Sequence, residues 1–226
     1  MLTVGAMRVA VAGGHGKVAR HLTRVLAARG DVPIALIRSL DQVDDVTSDG
    51  AEAVVLDLER CNVADVAGAV TGAEAVVFAA GAGPGSGASR KDSVDRAAAA
   101  LLADAAERAG ISRYLLVSSM GVDDPPAQAD GVFAAYLRAK AASERDLRAR
   151  TLDWTILRPG RLTDDEPTGL VRLEESVAPG AIPRRDVAAV IASLLANPAT
   201  AGLTLELVAG AVPVDAAVVA ATERAD

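Results

Sequence analysis

Residues 7–30 read MRVAVAGGHGKVARHLTRVLAARG, and this stretch decides the fold. Val9–Ala12 is a run of strand-forming residues, followed at once by Gly13, Gly14 and Gly16. Beyond the glycines, apolar Val18, Leu22, Val25 and Leu26 recur at the spacing of a helix that buries one face. Strand, glycine turn and helix make a βα unit. The first N–H groups of such a helix lack internal partners and the macrodipole there is positive, so the turn is suited to a phosphate. Gly13 turns the chain off the strand, Gly16 lets backbone approach a pyrophosphate, and Ala19 seats the helix closely on the sheet. Gly14, His15, Lys17 and Val18 complete the turn as candidate contacts. A P-loop is excluded, because Val11 holds its first glycine position and Val18 stands where Ser or Thr would bind magnesium.

The 226 residues suffice for one large domain with a substantial core. Half are hydrophobic but only 2% aromatic, so the core must be Ala, Val and Leu. A net charge of −7 with no Lys/Arg-rich run argues against a nucleic-acid surface. A single cysteine, Cys61, rules out an intramolecular disulfide and suits a reducing compartment, taken as the cytoplasm. No run of eighteen apolar residues is present to span a membrane. No His/Cys/Asp cluster has metal-ligand spacing, so no metal is expected; His21, on the first helix, reads as structural. Aromatic scarcity leaves no obvious association patch, and a monomer or homodimer is expected.

Strand and helix patterns alternate through the chain, predicting an α/β fold: a doubly wound, mainly parallel sheet of about seven strands with helices on both faces. The strands are expected at Val9–Ala12, Pro33–Arg38, Val54–Asp57, Ala75–Ala80, Tyr114–Ser118, Trp154–Leu157 and Leu203–Val208. Helices are expected at Asn62–Val70 with Asn62 as cap, Ser93–Ala109 stopped by Gly110, Val132–Arg150, Val187–Ala196 and Pro213–Thr222. Gly81–Gly87 is too glycine-rich for regular structure. Thr163–Pro183 reads as loops and a short strand pair. The expectation is one domain over residues 1–226, with 121–131 and 161–183 forming the substrate side of a cleft.

Open α/β sheets bind ligands beyond the carboxyl ends of their strands, where strand order reverses. The ends on offer are Gly13–Gly16, Arg38–Ser39, Asp57–Leu58, Ala79–Gly81, Ser118–Ser119 and Arg158–Arg161. An NAD site places an acid about twenty residues after the first glycine. Here Arg38 and Ser39 stand at that strand end instead; a planar guanidinium suits a 2′-phosphate, and an acid would repel it. The expected cofactor is therefore NADP(H) rather than NAD(H). Asp57 either accepts from the adenine amino group or serves the loop. Ala79, Ala80 and Gly81 are small enough to leave room for ribose and pyrophosphate.

The sharpest chemical feature is Tyr136-Leu137-Arg138-Ala139-Lys140. On a helix, positions four apart share a face. An ammonium beside a tyrosine favours the phenolate, so Tyr136 can exchange a proton with a substrate oxygen while hydride moves, and Lys140 can also hold ribose hydroxyls. The chain has only two Tyr and three Lys against twenty Arg, which makes a Lys at this spot informative. Ser119, with Ser118 as its alternative, ends the neighbouring strand and can position the substrate oxygen.

Taken together, AGGHGKVA (12–19), AAGAG (79–83), LLVSSMGV (115–122), YLRAK (136–140), DWTILRPGRL (153–162) and IPRRDVAAVIASLL (182–195) resemble the atypical, NAD(P)H-binding branch of the short-chain dehydrogenases/reductases, which includes NmrA-like and biliverdin-reductase-B-like proteins. The resemblance implies a Rossmann fold with NADP(H) across the strand ends and Pro159-Gly160-Arg161 behind the nicotinamide. It implies two activities: an oxidoreductase acting on a small carbonyl- or quinone-like substrate, or a non-catalytic NADPH-binding regulator.

Overall fold

The computed structural model describes residues 6–81, 91–123 and 131–224, the side chains of 91–93 excepted. The expectations for 82–87 and for most of the 121–131 loop therefore lie outside the described residues. The chain opens with β1 (Arg8–Ala12), α1 (Lys17–Ala28), β2 (Val32–Ile37), α2 (Val43–Ser48) and β3 (Glu52–Val55). Then come α3 (Val63–Val70), β4 (Ala75–Phe78), a π-helical turn (Lys91–Ala97) running into α4 (Ala98–Ala109), and β5 (Arg113–Val117). The remainder is α5 (Gly131–Arg148), β6 (Asp153–Pro159), β7 (Arg161–Thr163), β8 (Leu170–Glu174), β9 (Ala181–Pro183), α6 (Arg184–Leu195), β10 (Thr204–Ala209), β11 (Val212–Pro213) and α7 (Val214–Glu223).

The main sheet runs β11-β8-β10-β6-β5-β4-β1-β2-β3. Its seven parallel strands, in the order 3-2-1-4-5-6-10, are the seven expected. The sheet has nine because β8 and β11 add antiparallel pairs at one edge. Neither carries the apolar run of a buried parallel strand: β8 alternates exposed and buried residues, and β11 is two exposed residues. The expected short strand pair is β7 with β9. Helix α2 was not expected; its sequence, VDDVTS, is rich in β-branched residues and Asp, and only Val46 is buried.

Chain order reverses between β1 and β4, which are paired in register Val9↔Ala75 to Ala12↔Phe78. Helices α1, α6 and α7 pack one face through Leu22, Leu26, Val187, Ile191 and Val218. Helices α3, α4 and α5 pack the other through Val66, Val70, Leu102, Ala106 and Leu147. Alanines such as Ala19, Ala188, Ala103 and Ala106 fill the spaces between them and bring helix and sheet close. Local signals place the ends: Asn62 and Asp65 form a reciprocal capping box on α3, and Gly110 closes α4 in the left-handed region at φ 73°. Tyr114, whose hydroxyl donates to the Ala99 carbonyl at 3.0 Å, ties β5 to α4, and burial pushes its phenol far above the usual range. Among the described residues no helix is long and apolar enough to cross a membrane.

Candidate functional site

The glycine turn is wedged into the point of reversal. Gly14 N–H donates to the Leu36 carbonyl at 3.0 Å, and Ala79 N–H to that of Ala12 at 3.1 Å. Gly13 has φ 76°, and a Cβ there would lie 2.6 Å from the Ala80 Cα; one on Gly14 would lie 2.6 Å from the Ala35 Cβ. These two glycines are therefore demanded by the protein's own packing, a role beyond the sharp turn read from sequence. Gly16 differs, since a Cβ there would meet only the Gly13 carbonyl at 3.1 Å and that of Ala79 at 4.0 Å.

Beside the turn lies a cleft of about 500 Å³. Gly13, His15 and Gly16 form one wall, Arg38 and Gln42 the next, and Asp57, Leu58 and Glu59 the third. Ala79, Ala80 and Gly81 form the floor beside Val94 and Ala98. Nine of the residues singled out from sequence thus meet in one cleft. Leu36, Gln42, Leu56, Glu59, Val94 and Ala98 join them unannounced, since packing rather than motif brings them there. Gln42 carries a polar signal only in hindsight: its side-chain carbonyl accepts the Arg38 backbone N–H at 3.3 Å.

The cleft fits a dinucleotide on chemical grounds. Helix α1 starts at Gly16 with no side-chain cap and no acidic residue in its first turn, leaving its leading N–H groups for an anion. The Arg38 side chain is exposed and makes no hydrogen bond or ion pair among the described residues. Ser39 donates instead to the Asp41 carboxylate. Asp57 accepts the Glu59 N–H at 3.1 Å and pairs with Arg60 at 3.5 Å, so it shapes its loop while lining the cleft. His15 bonds Asp45 at 2.7 Å, and Lys17 reaches away from the cleft to Asp164 at 2.6 Å. Val18 packs against the core and is not in the cleft wall.

The remaining residues singled out lie outside that wall, at the ends of β5 and β6 and on α5. Ser118 and Ser119, equivalent in sequence, are separated here. Ser118 is buried and its hydroxyl donates to Glu144 at 2.6 Å, whereas Ser119 is half-buried and, among the described residues, its hydroxyl bonds the neighbouring Met120 carbonyl at 3.1 Å. Glu144 is 1% exposed and its two oxygens also accept Nε and Nη2 of Arg158, at 2.9 and 2.6 Å. Arg158 reaches Asp123 at 2.6 Å. Burial pulls the Arg158 pKa down, but the hydrogen bonds it donates to Glu144 and Asp123 outweigh that and hold the guanidinium above its ordinary value.

Lys140 and Tyr136 share a face of α5 as the spacing predicts; Lys140 Nζ lies 5.8 Å from the Tyr136 ring centroid. The lysine is buried, however, and donates to the Val117 carbonyl at 2.9 Å. Tyr136 is half-buried and stacks on exposed Phe133, ring centroids 6.0 Å apart. Pro159 is buried and its carbonyl accepts the Met120 N–H at 3.1 Å. A Cβ on Gly160 would lie 2.4 Å from the Gly180 carbonyl oxygen, so this crossing requires glycine. The Arg161 side chain is exposed.

Residues 13–198 match a protein family described as NAD(P)H-binding. Among curated proteins, the chain is 37% identical over 220 residues to the UPF0659 protein YMR090W of Saccharomyces cerevisiae, covering 92% of this chain and 96% of that one. It is 31% identical over 209 residues to YhfK of Bacillus subtilis, named an uncharacterized sugar epimerase, covering 92% and 97%. Among solved structures, a Bacillus halodurans protein provisionally named an NAD-dependent epimerase/dehydratase superposes with TM-score 0.89 at 38% identity, covering 95% of this chain and all of that one. ChuY of Escherichia coli, named an anaerobillin reductase, superposes with TM-score 0.75 at 28% identity, covering 90% and 97%.

Proposed function

The chain belongs to the NAD(P)H-binding family, and from that premise we propose that it is an NADP(H)-dependent oxidoreductase acting on a small carbonyl- or quinone-like substrate. One observation carries the reading. At the carboxyl end of β5, a tyrosine and a lysine share a face of α5, with Nζ 5.8 Å from the centroid of the phenol ring. The bound dinucleotide would supply or accept the hydride.

The chain's own residues do the rest. The uncapped start of α1 binds the pyrophosphate, and Arg38 takes the 2′-phosphate in its planar fork. Asp57 and Leu58 flank the adenine. The Tyr136 hydroxyl gives or takes the proton at the substrate oxygen, Ser119 orients that oxygen, and Lys140 acts on Tyr136 from the interior. Pro159-Gly160-Arg161 backs the nicotinamide, and residues 121–131 and 161–183 form the substrate side of this single domain. The lone Cys61, its thiol pushed up by burial, suits a reducing compartment such as the cytoplasm.

The test is NADPH oxidation with a panel of aldehydes, ketones and quinones. Tyr136→Phe is expected to lower kcat by about 10²–10⁴-fold while NADPH affinity holds. Full turnover by that variant removes Tyr136 from the chemistry. Tight NADPH binding with no turnover on any substrate favours the non-catalytic regulator instead.

A further inference from the structure

A second cavity, of about 280 Å³, opens between α1 and α6 and shares no lining residue with the cleft. From α1 it takes Lys17, Arg20, His21 and Arg24, which recur three and four residues apart along one face. The start of α6 adds Arg184 and Arg185, and the end of β7 adds Thr163, Asp164 and Asp165. Five cations thus line the cavity against two carboxylates. The Thr163 hydroxyl oxygen is closed to solvent and has no hydrogen-bond partner among the described residues.

The carboxylates hold these cations on two different terms. Asp49, its side chain 5% exposed, accepts Arg20 Nε at 2.6 Å and Arg24 Nε at 2.7 Å, which fixes both guanidinium groups; Arg20 also stands 3.4 Å from Asp45. Asp164 is exposed and bridges Lys17 at 2.6 Å and Arg184 at 2.7 Å, while exposed Glu166 takes Arg185 at 3.0 Å. Ion pairs in water are weak, so Lys17, Arg184 and Arg185 can exchange the carboxylates of the 164–166 loop for an incoming anion. Asp186, the buried acid in the first turn of α6, is already engaged: it accepts the Thr168 and Gly169 N–H groups at 3.0 and 2.9 Å. His21 registers the excess of positive charge. Burial lowers its pKa first, and Arg24 and Arg185 lower it further than Asp49 and Asp164 raise it. Its Nδ1 accepts from Arg24 Nη1 at 3.2 Å, because a guanidinium only donates, so the neutral ring carries its proton on Nε2 as an uncharged donor.

We propose that the cavity between α1 and α6 is a second anion site, separate from the dinucleotide cleft, which takes a compact phosphate-type dianion on Lys17, Arg184, Arg185 and the Thr163 hydroxyl, with the Asp164 carboxylate as its competitor. The volume is small for a dinucleotide and ample for a phosphate or a phosphomonoester.

The two histidines of the chain give each cavity its own reporter, His15 in the cleft and His21 in the second cavity. With the ring nitrogens labelled with ¹⁵N, saturating NADP⁺ is expected to move the His15 resonance and leave that of His21, identified by its loss in His21→Gln. Inorganic phosphate, then added at fixed pH and ionic strength, is expected to move His21 with a half-point on the order of 1–10 mM. A parallel titration with methyl phosphate distinguishes the free ion, if it binds more weakly than phosphate, from an ester, if it binds as well or better; saturation by either supports the site. A His21 shift that never saturates, or that chloride reproduces, is ordinary screening and overturns the proposal. So does a His21 shift produced by NADP⁺ to which phosphate adds nothing, since the cavity then belongs to the cofactor. Arg184→Gln is expected to weaken phosphate binding about tenfold or more, and Asp164→Asn to tighten it about threefold or more. An unchanged half-point in either variant overturns the proposal, and should Arg184→Gln fail to fold, exposed Arg185→Gln is expected to weaken binding about threefold. A chain that binds no NADP⁺ defeats the cofactor reading, while the phosphate titration of His21 still decides this site.

Discussion

The row of strand ends has two halves built on opposite plans. Around β1, β2 and β4 the walls are backbone, glycine and alanine, and the charges stand at the surface: Arg38 in solvent, Lys17 on Asp164, with side chains 68% and 58% exposed. Under α5 the charges are inside: Asp95 at 0%, Glu144 at 1%, Lys140 at 3% and Arg158 at 6% exposure. The first half leaves its hydrogen-bonding groups for a charged ligand. The second must satisfy its own charges whether or not a ligand arrives, because an unpaired buried charge costs several kcal/mol.

The contrast is most easily broken at Glu144. Glu144→Ala takes from the buried Arg158 guanidinium its buried partner and leaves it the exposed Asp123, and urea denaturation is expected to show a loss of about 3 kcal/mol. A loss under about 1 kcal/mol would mean that apolar packing, not charge, holds this half. Next in size is Gly14→Ala. Its methyl group would lie 2.6 Å from that of Ala35, so stability should fall by about 1–3 kcal/mol and NAD(P)H affinity with it.

Arg38→Ala probes the open half from the other direction. Stability should hold, since the side chain bonds nothing among the described residues, while NADPH affinity falls tenfold or more for a charged hydrogen bond of about 1.5–3 kcal/mol and NADH affinity stays level. Calorimetric titration with both nucleotides reads the result, and equal losses for the two would unseat the 2′-phosphate assignment. The smallest effect is expected at Asp49, behind the open half. Burial pushes its carboxylate up, but hydrogen bonds from Arg20 and Arg24 outweigh that and hold it below its ordinary 3.8. A depressed carboxylate contributes stability that is present above the unfolded value and lost as pH falls through the folded one. Asp49→Asn should therefore lower the melting temperature at neutral pH and flatten its decline below about pH 4, as thermal scans across that range would show.

Legibility from sequence follows the same division. The Asn62–Asp65 box and the Gly110 stop involve neighbours in the chain, and both stand where the residue types place them. Most of the cleft wall was legible too, because strand ends in a doubly wound sheet converge by topology. Lys17 and Val18 were assigned to the ligand through their place in the turn; one is drawn to an aspartate on a distant strand end, the other into the core. The buried network beneath α5 was passed over although it leaves a trace. Leu137, Lys140, Glu144 and Leu147 occupy one helical stripe, and two charges at core positions of a stripe call for partners. Arg158 within the apolar run WTILRP signals the same need.

By itself the sequence determined the alternation of strands and helices, the glycine turn and the identity of the residues at each strand end. All of these follow from periodicity and from steric rules that act over a few residues. Only the tertiary structure decided which of two adjacent serines is bonded to Glu144, that Lys140 is held against Asp95, and that two edge strands extend the sheet. Those outcomes depend on which side chains from distant segments must share a space closed to water, and there each buried charge selects its partner through the cost of leaving it alone.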